Sequence, residues 1–261
     1  MLYTWLRIYI LLWNNSPAWI QRTCRATGLH PWLVRLLTSY RRAPHHPSED
    51  GVVQTLSRRV KSGSLVIDVG ANFGVMTEVM ARTAGPTGLV IAFEANPDNA
   101  EVLSARCQWL QKQSSCAPIE VRNQAVNDGQ KSEVALHAGR RHSANEWTIT
   151  GKDVTGRATE AAFRIPATSL DAALLAQPRP VQLVKIDVEG AEDQVFAGML
   201  ELARKHRPTL LIEFHNDQTW EKRRHLMSLG YRFYRLDGTS VGDRDVCEPH
   251  VMAVWQDERC A

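Results

Sequence analysis

"LVIDVGANFGVMTEVMARTAGPTGLVIAFE", Leu65–Glu94, reads as a strand, a glycine turn, a helix and a second strand. The apolar run Leu65–Ile67 has the length of a buried strand and ends at Asp68. Gly70-Ala71-Asn72-Phe73-Gly74 follows, and Val75, Val79 and Met80 then keep a helical period. Leu89–Phe93 is the second apolar run, closed by the acidic Glu94. The order predicts a βαβ unit of a mostly parallel, doubly wound α/β fold.

Each residue type in this stretch has a chemical reason. Gly70 permits a tight turn and leaves bare backbone against which a ligand can lie. The first turn of the next helix presents free N–H groups and a positive dipole end, which favour an anionic or carboxylate group. Glu94, at a strand end, is placed to accept hydrogen bonds from both hydroxyls of a ribose. The pattern G-A-N-F-G, closed by Gly74, lacks the middle glycine that brings backbone close to a pyrophosphate. A nucleoside without a diphosphate therefore fits better than NAD, and S-adenosylmethionine is the expected cofactor. An NAD-dependent oxidoreductase is the alternative.

Working outward, 261 residues suffice for one domain with extensions, and 44% hydrophobic with 23% charged residues is ordinary for a water-soluble chain. A net charge of +3 does not argue for a nucleic-acid partner. Cys24, Cys107, Cys116, Cys247 and Cys260 form no C-x-x-C pair, which speaks against a disulfide framework and for a reducing, cytoplasmic setting. Residues 1–50 read as a helical extension and linker, and residues 51–261 as the catalytic domain. Met1–Trp13 is apolar but broken by Arg7, well short of the ~20 residues of a membrane span. Residues 1–19, with Tyr3, Trp5, Tyr9, Trp13 and Trp19, suit packing on the domain or a partner subunit, or a peripheral membrane contact. Pro31–Ser39 is expected to be helical, and Arg41–Asp50 is the clearest linker.

Beyond Glu94, the expected elements are a helix capped by Asp98 or Asn99 and a strand at Ile119–Val121. Asn123, Gln124 and Ala125 at that strand's end lie on the ligand rim, within reach of an adenine edge. Asp128–Ala162, with Arg140, Arg141, His142, Asn145 and Arg157, reads as a polar, lid-like insertion where acceptor recognition belongs. An edge strand ends at Pro166, and Ser169 or Thr168 caps the next helix. "VQLVKIDVEGAEDQVFAGM" then gives the strand Val181–Ile186, which carries Lys185, followed by Asp187, Glu189 and a helix. Two carboxylates flanking a strand end suit base chemistry or a divalent metal, the bland reading being an acidic first helical turn. Thr209–Phe214 is a fifth strand whose end carries Glu213, His215 and Asn216; Trp220–Leu229 is a helix, and "YRFYRL" and "HVMAVW" are two closing strands with antiparallel pairing at one edge.

With these residues in view, the chain resembles the FkbM-type family of S-adenosylmethionine-dependent methyltransferases. The resemblance rests on "VIDVGANFGVMTEVMAR", "GLVIAFEANPDNAEVL", "NQAVND", "PATSLD", "LVKIDVEGAEDQVFAGM", "LIEFH" and "HVMAVW", in that order, from Leu65 to Trp255. It implies a class I, Rossmann-like fold: a seven-stranded, mostly parallel sheet with helices on both faces and an antiparallel last strand. It also implies O-methylation of a hydroxyl on a small-molecule, sugar or lipid-like acceptor. Asp68, Gly70 and Asn72 would shape the methionine end of the cofactor site, Glu94 would hold the ribose, and Asn123–Val126 would face adenine. Asp187 and Glu189 would stand where acceptor meets cofactor. Asp187, Glu189 and His215 are the candidates for orienting or deprotonating the hydroxyl, with Lys185 either tuning the carboxylates or lying beneath them. A methyltransferase-like interaction module without activity is the remaining alternative.

Overall fold

The computed structural model describes residues 49–138, 147–151, 161–243 and 245–256. The expectations for the N-terminal extension, and for Arg140, Arg141, His142, Asn145 and Arg157, lie outside the described residues.

In chain order the elements are α1 (Asp50–Arg59), β1 (Leu65–Val69), α2 (Val75–Ala84), β2 (Leu89–Phe93), α3 (Pro97–Leu110), β3 (Ile119–Arg122) and β4 (Ala125–Val126). Next come β5 (Glu133–Ala138), β6 (Trp147–Thr148), β7 (Ala161–Thr168), α4 (Leu170–Leu174), β8 (Val181–Ile186), α5 (Glu192–Ala197) and α6 (Leu200–His206). The chain ends with β9 (Thr209–Glu213), α7 (Asp217–Lys222), α8 (Arg224–Leu229), β10 (Tyr231–Arg235) and β11 (His250–Trp255).

Seven strands form one sheet in the order β10-β11-β9-β8-β1-β2-β3. β3, β2, β1, β8 and β9 run parallel, while β11 pairs antiparallel with both β9 and β10. This is the expected class I sheet with its last strand reversed. Strand alternation sorts the core. Leu65, Ile67 and Val69 of β1 face one side, with Val195 and Phe196 of α5, Leu202 of α6, Trp220 and Leu226. Val66 faces the other, with Leu56 of α1, Met80 of α2 and Leu103 of α3. The central strands are buried on both faces, so each large aliphatic there adds about 1.5–3 kcal/mol.

Asp128–Ala162 was expected as a polar insertion. Its described part, where "KSEVALHA" and "EWTIT" alternate in the manner of strands, contributes to a second sheet, β4-β7-β5-β6. Nor is β7 an edge strand ending at Pro166. It runs on to Thr168, between β4 and β5, and Pro166 is tolerated because pairing with β4 begins only at Ala167. The cap of α3 is Asn96, whose Oδ1 accepts from the N–H groups of Asp98 and Asn99, with Pro97 at the first helical position. Ser169 caps α4, as expected. The single helix expected over Trp220–Leu229 is two. At the break Arg223 turns inward, its guanidinium 4.0 Å from the Trp220 ring centroid and donating to the carbonyls of Trp220 and Asp243. Among the described residues no helix is long and apolar enough to cross a membrane.

Candidate active site

Register alone assembles the rim. Val69 pairs with Phe93 and with Ile186, Phe93 with Arg122, and Ile186 with Ile212. The next residues, Gly70, Glu94, Asp187, Asn123 and Glu213, therefore leave the sheet side by side at the carboxyl ends of the parallel strands. Strand order reverses between β1 and β8, the switch point at which ligands of open α/β sheets bind. A cleft opens there, with ≈ 960 Å³ of empty space counted into its mouth. From the β2–β4 side it is lined by Phe93, Ala95, Ala125 and Val126, with Leu136 and Ile149 packed beside them; from the β8–β9 side by Asp187, Val188, Glu189, Ala191 and Glu213. Gly70, Asn72, Glu94 and Gln124 line it as well.

Glu94 is 6% exposed. Its Oε2 accepts from the Asn72 N–H at 2.7 Å and its Oε1 from the Asn96 N–H at 2.8 Å. Burial outweighs these bonds and pushes its pKa up to about 7. Asn72 is held at φ 50°, and its Oδ1 accepts from Asn99 Nδ2. Asn123, expected to face adenine, does not line the cleft. Its Nδ2 donates to the carbonyls of Glu94 and Ala95 and clamps the chain leaving β2.

The two glycines owe their identity to packing. A Cβ on Gly70 (φ 80°), which also lines the cleft, would lie 1.7 Å from the Asp187 carbonyl oxygen at the neighbouring strand's exit. A Cβ on Gly74 would meet Leu103 of α3 at 2.6 Å, and Gly74 lies outside the cleft lining as the residue that caps α2.

Beneath the rim lies a buried charge network. Asp68 and Lys185 are register partners in β1 and β8, and parity puts Asp187 on the same face. Asp68 is fully buried and accepts from Thr77 Oγ1 at 2.6 Å; burial raises its pKa against the pull of Lys185. Lys185 Nζ lies 3.0 Å from Asp187 Oδ2 and 3.7 Å from Asp68 Oδ1. Burial disfavours its charge, yet the two aspartates outweigh that and keep it protonated. Asp187 is held below its ordinary pKa, because Lys185 and His215 overcome the cost of burial.

His215 leaves β9 into the acidic side. Its Nε2 lies 3.4 Å from Glu189 Oε2, 3.6 Å from Asp187 Oδ1 and 3.8 Å from Glu213 Oε1. Burial would lower its pKa, but the bond from Nδ1 to Glu192 and the charges of Glu189 and Asp187 raise it to about 10. A pKa raised in this way favours the imidazolium at neutral pH, the form in which Nε2 carries a proton toward the surrounding acids. Divalent-metal donors were expected in Asp187 and Glu189. The set that the geometry brings within 4.8 Å is instead Asp187, Glu213 and His215. Sequence reasoning placed Glu213 at a strand end and Glu192 in an acidic first helical turn without giving either a role, and it passed over His250, whose Nε2 is 3.1 Å from Glu213 Oε2. Only the β9–β11 register, with His250 opposite Glu213, reveals the last.

Fold and site together define a class I methyltransferase architecture with its ligand cleft at the switch point. The methyltransferase FkbM domain family matches residues 68–233, well over half of the chain, and the protein belongs to that family. No curated protein matches the chain. Among solved structures it is similar to methyltransferase FkbM from Methylobacillus flagellatus (13% identity, TM-score 0.48), over 80% of this chain but only 59% of that longer one. It is also similar to a SAM-dependent O-methyltransferase from Thermotoga maritima (16% identity, TM-score 0.44, 84% of this chain, 69% of that one). An rRNA methylase from Streptococcus thermophilus is similar over 82% of this chain and 100% of its own (11% identity, TM-score 0.45).

Proposed function

We propose that this methyltransferase uses S-adenosylmethionine to methylate a hydroxyl oxygen of a small-molecule, sugar or lipid-like acceptor. The observation that carries the reading is the two-sided cleft. Its apolar side suits an adenine, Glu94 stands at the exit of β2 for the ribose hydroxyls, and the carboxylates of Asp187, Glu189 and Glu213 gather on the other side.

When bound, S-adenosylmethionine would supply a sulfonium-activated methyl carbon open to in-line attack by the acceptor oxygen, with S-adenosylhomocysteine as the leaving group. The chain's own part is alignment and care of the acceptor proton. Asp187, kept ionised by Lys185 and His215, accepts the hydroxyl's hydrogen bond and takes up its growing acidity as the new C–O bond forms. Protonated His215 holds Asp187, Glu189 and Glu213 together against their mutual repulsion. A requirement for a divalent cation would be met by Asp187, Glu213 and His215, the ring giving up its Nε2 proton as the ion binds, and turnover after chelator treatment and Mn²⁺ restoration tests it.

The test is calorimetric titration with S-adenosylmethionine, with NAD and the Glu94→Ala variant alongside. Micromolar-range binding that the variant loses supports the reading. Preference for NAD would move the protein to the oxidoreductases, and no binding by the folded protein would favour the inactive interaction module.

A further inference from the structure

The chemistry above leaves one fully buried acid without a task. Glu192, the first residue of α5, is 0% exposed, and its ion pair among the described residues is with His215. An acid in a dry interior is costly unless its oxygens are used. Oε1 is used twice: it accepts from the Gly190 N–H at 2.9 Å and meets His215 Nδ1 at 2.7 Å. Oε2 has no hydrogen-bond partner among the described residues.

The two bonds act on different parts of the rim. The first closes the turn after β8, where Glu189 and Gly190 both have positive φ, 50° and 89°. The second reaches across to the exit of β9 and fixes a ring. The two imidazole nitrogens lie on opposite sides, so a ring held inward by Nδ1 must turn Nε2 outward. That is where it stands, within 4 Å of carboxylate oxygens from Asp187, Glu189 and Glu213. An outer carboxylate fixing an inner histidine through its far nitrogen is a general way of setting ring orientation.

We propose that Glu192 is a positioning residue: its buried carboxylate holds the His215 ring through Nδ1, so that Nε2 is presented to the three acids of the cleft. What the presented nitrogen is used for rests on the methyl-transfer reading; the orientation does not. A role confined to the Gly190 turn would leave the His215 ring untouched by any substitution that keeps the turn closed. Glu192→Gln is such a substitution, since its amide oxygen still accepts from the Gly190 N–H while the carboxylate charge is gone.

The experiment is long-range ¹H–¹⁵N NMR of the full chain labelled at histidine, with the His215 signals assigned by their loss in His215→Asn. Melting temperature and S-adenosylmethionine affinity are measured on the same samples. The wild-type protein is expected to show a downfield Nδ1 proton protected from exchange. In Glu192→Gln that proton moves upfield while melting temperature and affinity stay near wild type. In Glu192→Leu it is lost to exchange. An Nδ1 proton unmoved in Glu192→Gln, or freely exchanging in the wild type, overturns the assignment. A wild-type protein that shows the protected proton yet binds no S-adenosylmethionine upholds the positioning role and overturns the methyl-transfer reading instead.

Discussion

Glu94 and Asp187 sit about the same sheet rim, and their surroundings push their acidities in opposite directions. Among the described residues no cation pairs with Glu94, so burial lifts its pKa to about 7, and ribose hydroxyls would be held best by its ionised form. The sign follows directly. The empty folded protein binds this proton more tightly than the unfolded chain, so Glu94 withdraws stability as pH rises from about 4.5 to about 7. A ligand that selects the ionised carboxylate binds about tenfold more tightly at pH 8 than at pH 6 through this group. Titrations across that range should show the rise in the wild type and lose it in Glu94→Gln. Asp187 has Lys185 at 3.0 Å and remains ionised. Asp187→Asn keeps the shape and gives up the charge. Its affinity for S-adenosylmethionine should stay within about twofold while turnover of an identified acceptor falls by about a hundredfold or more.

Gly70 shows how elements dictate residues. The exits of β1 and β8 approach so closely that an added Cβ would sit 1.7 Å from a carbonyl oxygen, and φ is 80° besides. Gly70→Ala should cost more than about 3 kcal/mol and shift the denaturant midpoint strongly, whether or not ligand is present. Glycine was readable here as a bare surface for a ligand; the second constraint on it, the Asp187 carbonyl, lies more than a hundred residues on in the chain. The split of the expected helix at Arg223 has the same origin. Nothing local forbids a continuous helix across Trp220–Leu229. The carbonyls of Trp220, Gly242 and Asp243, brought near by the return of the chain to β11, draw the guanidinium inward.

On the scale of the whole molecule, the acidic side of the cleft exists only when β8, α5, β9 and β11 are assembled. His215 is an ordinary histidine in the unfolded chain and titrates near pH 10 in the folded one. Its contribution to stability is therefore complete below about pH 6.5 and is lost as pH rises toward 10, at about 1.4 kcal/mol per pH unit at the steepest. Unfolding free energies of wild type and His215→Asn, measured from pH 6 to pH 10, should differ most at the acid end and converge toward the alkaline end. A constant difference would mean that the ring's charge is not shared with Glu192, Glu189 and Asp187.

By itself the sequence determined the parallel βαβ core and most of the ligand rim: apolar runs of strand length, closed by Gly70, Glu94 or Asp187, require little more than periodicity and a turn to be read. The β1–β8 pairing, the place of β11 between β9 and β10, and the small sheet built from the expected insertion were decided only by tertiary structure. So were the roles of Glu192, Glu213 and His250. Those residues carry no local pattern, because a charge acquires its acidity, its partner and its direction from side chains that the chain brings to it from far away.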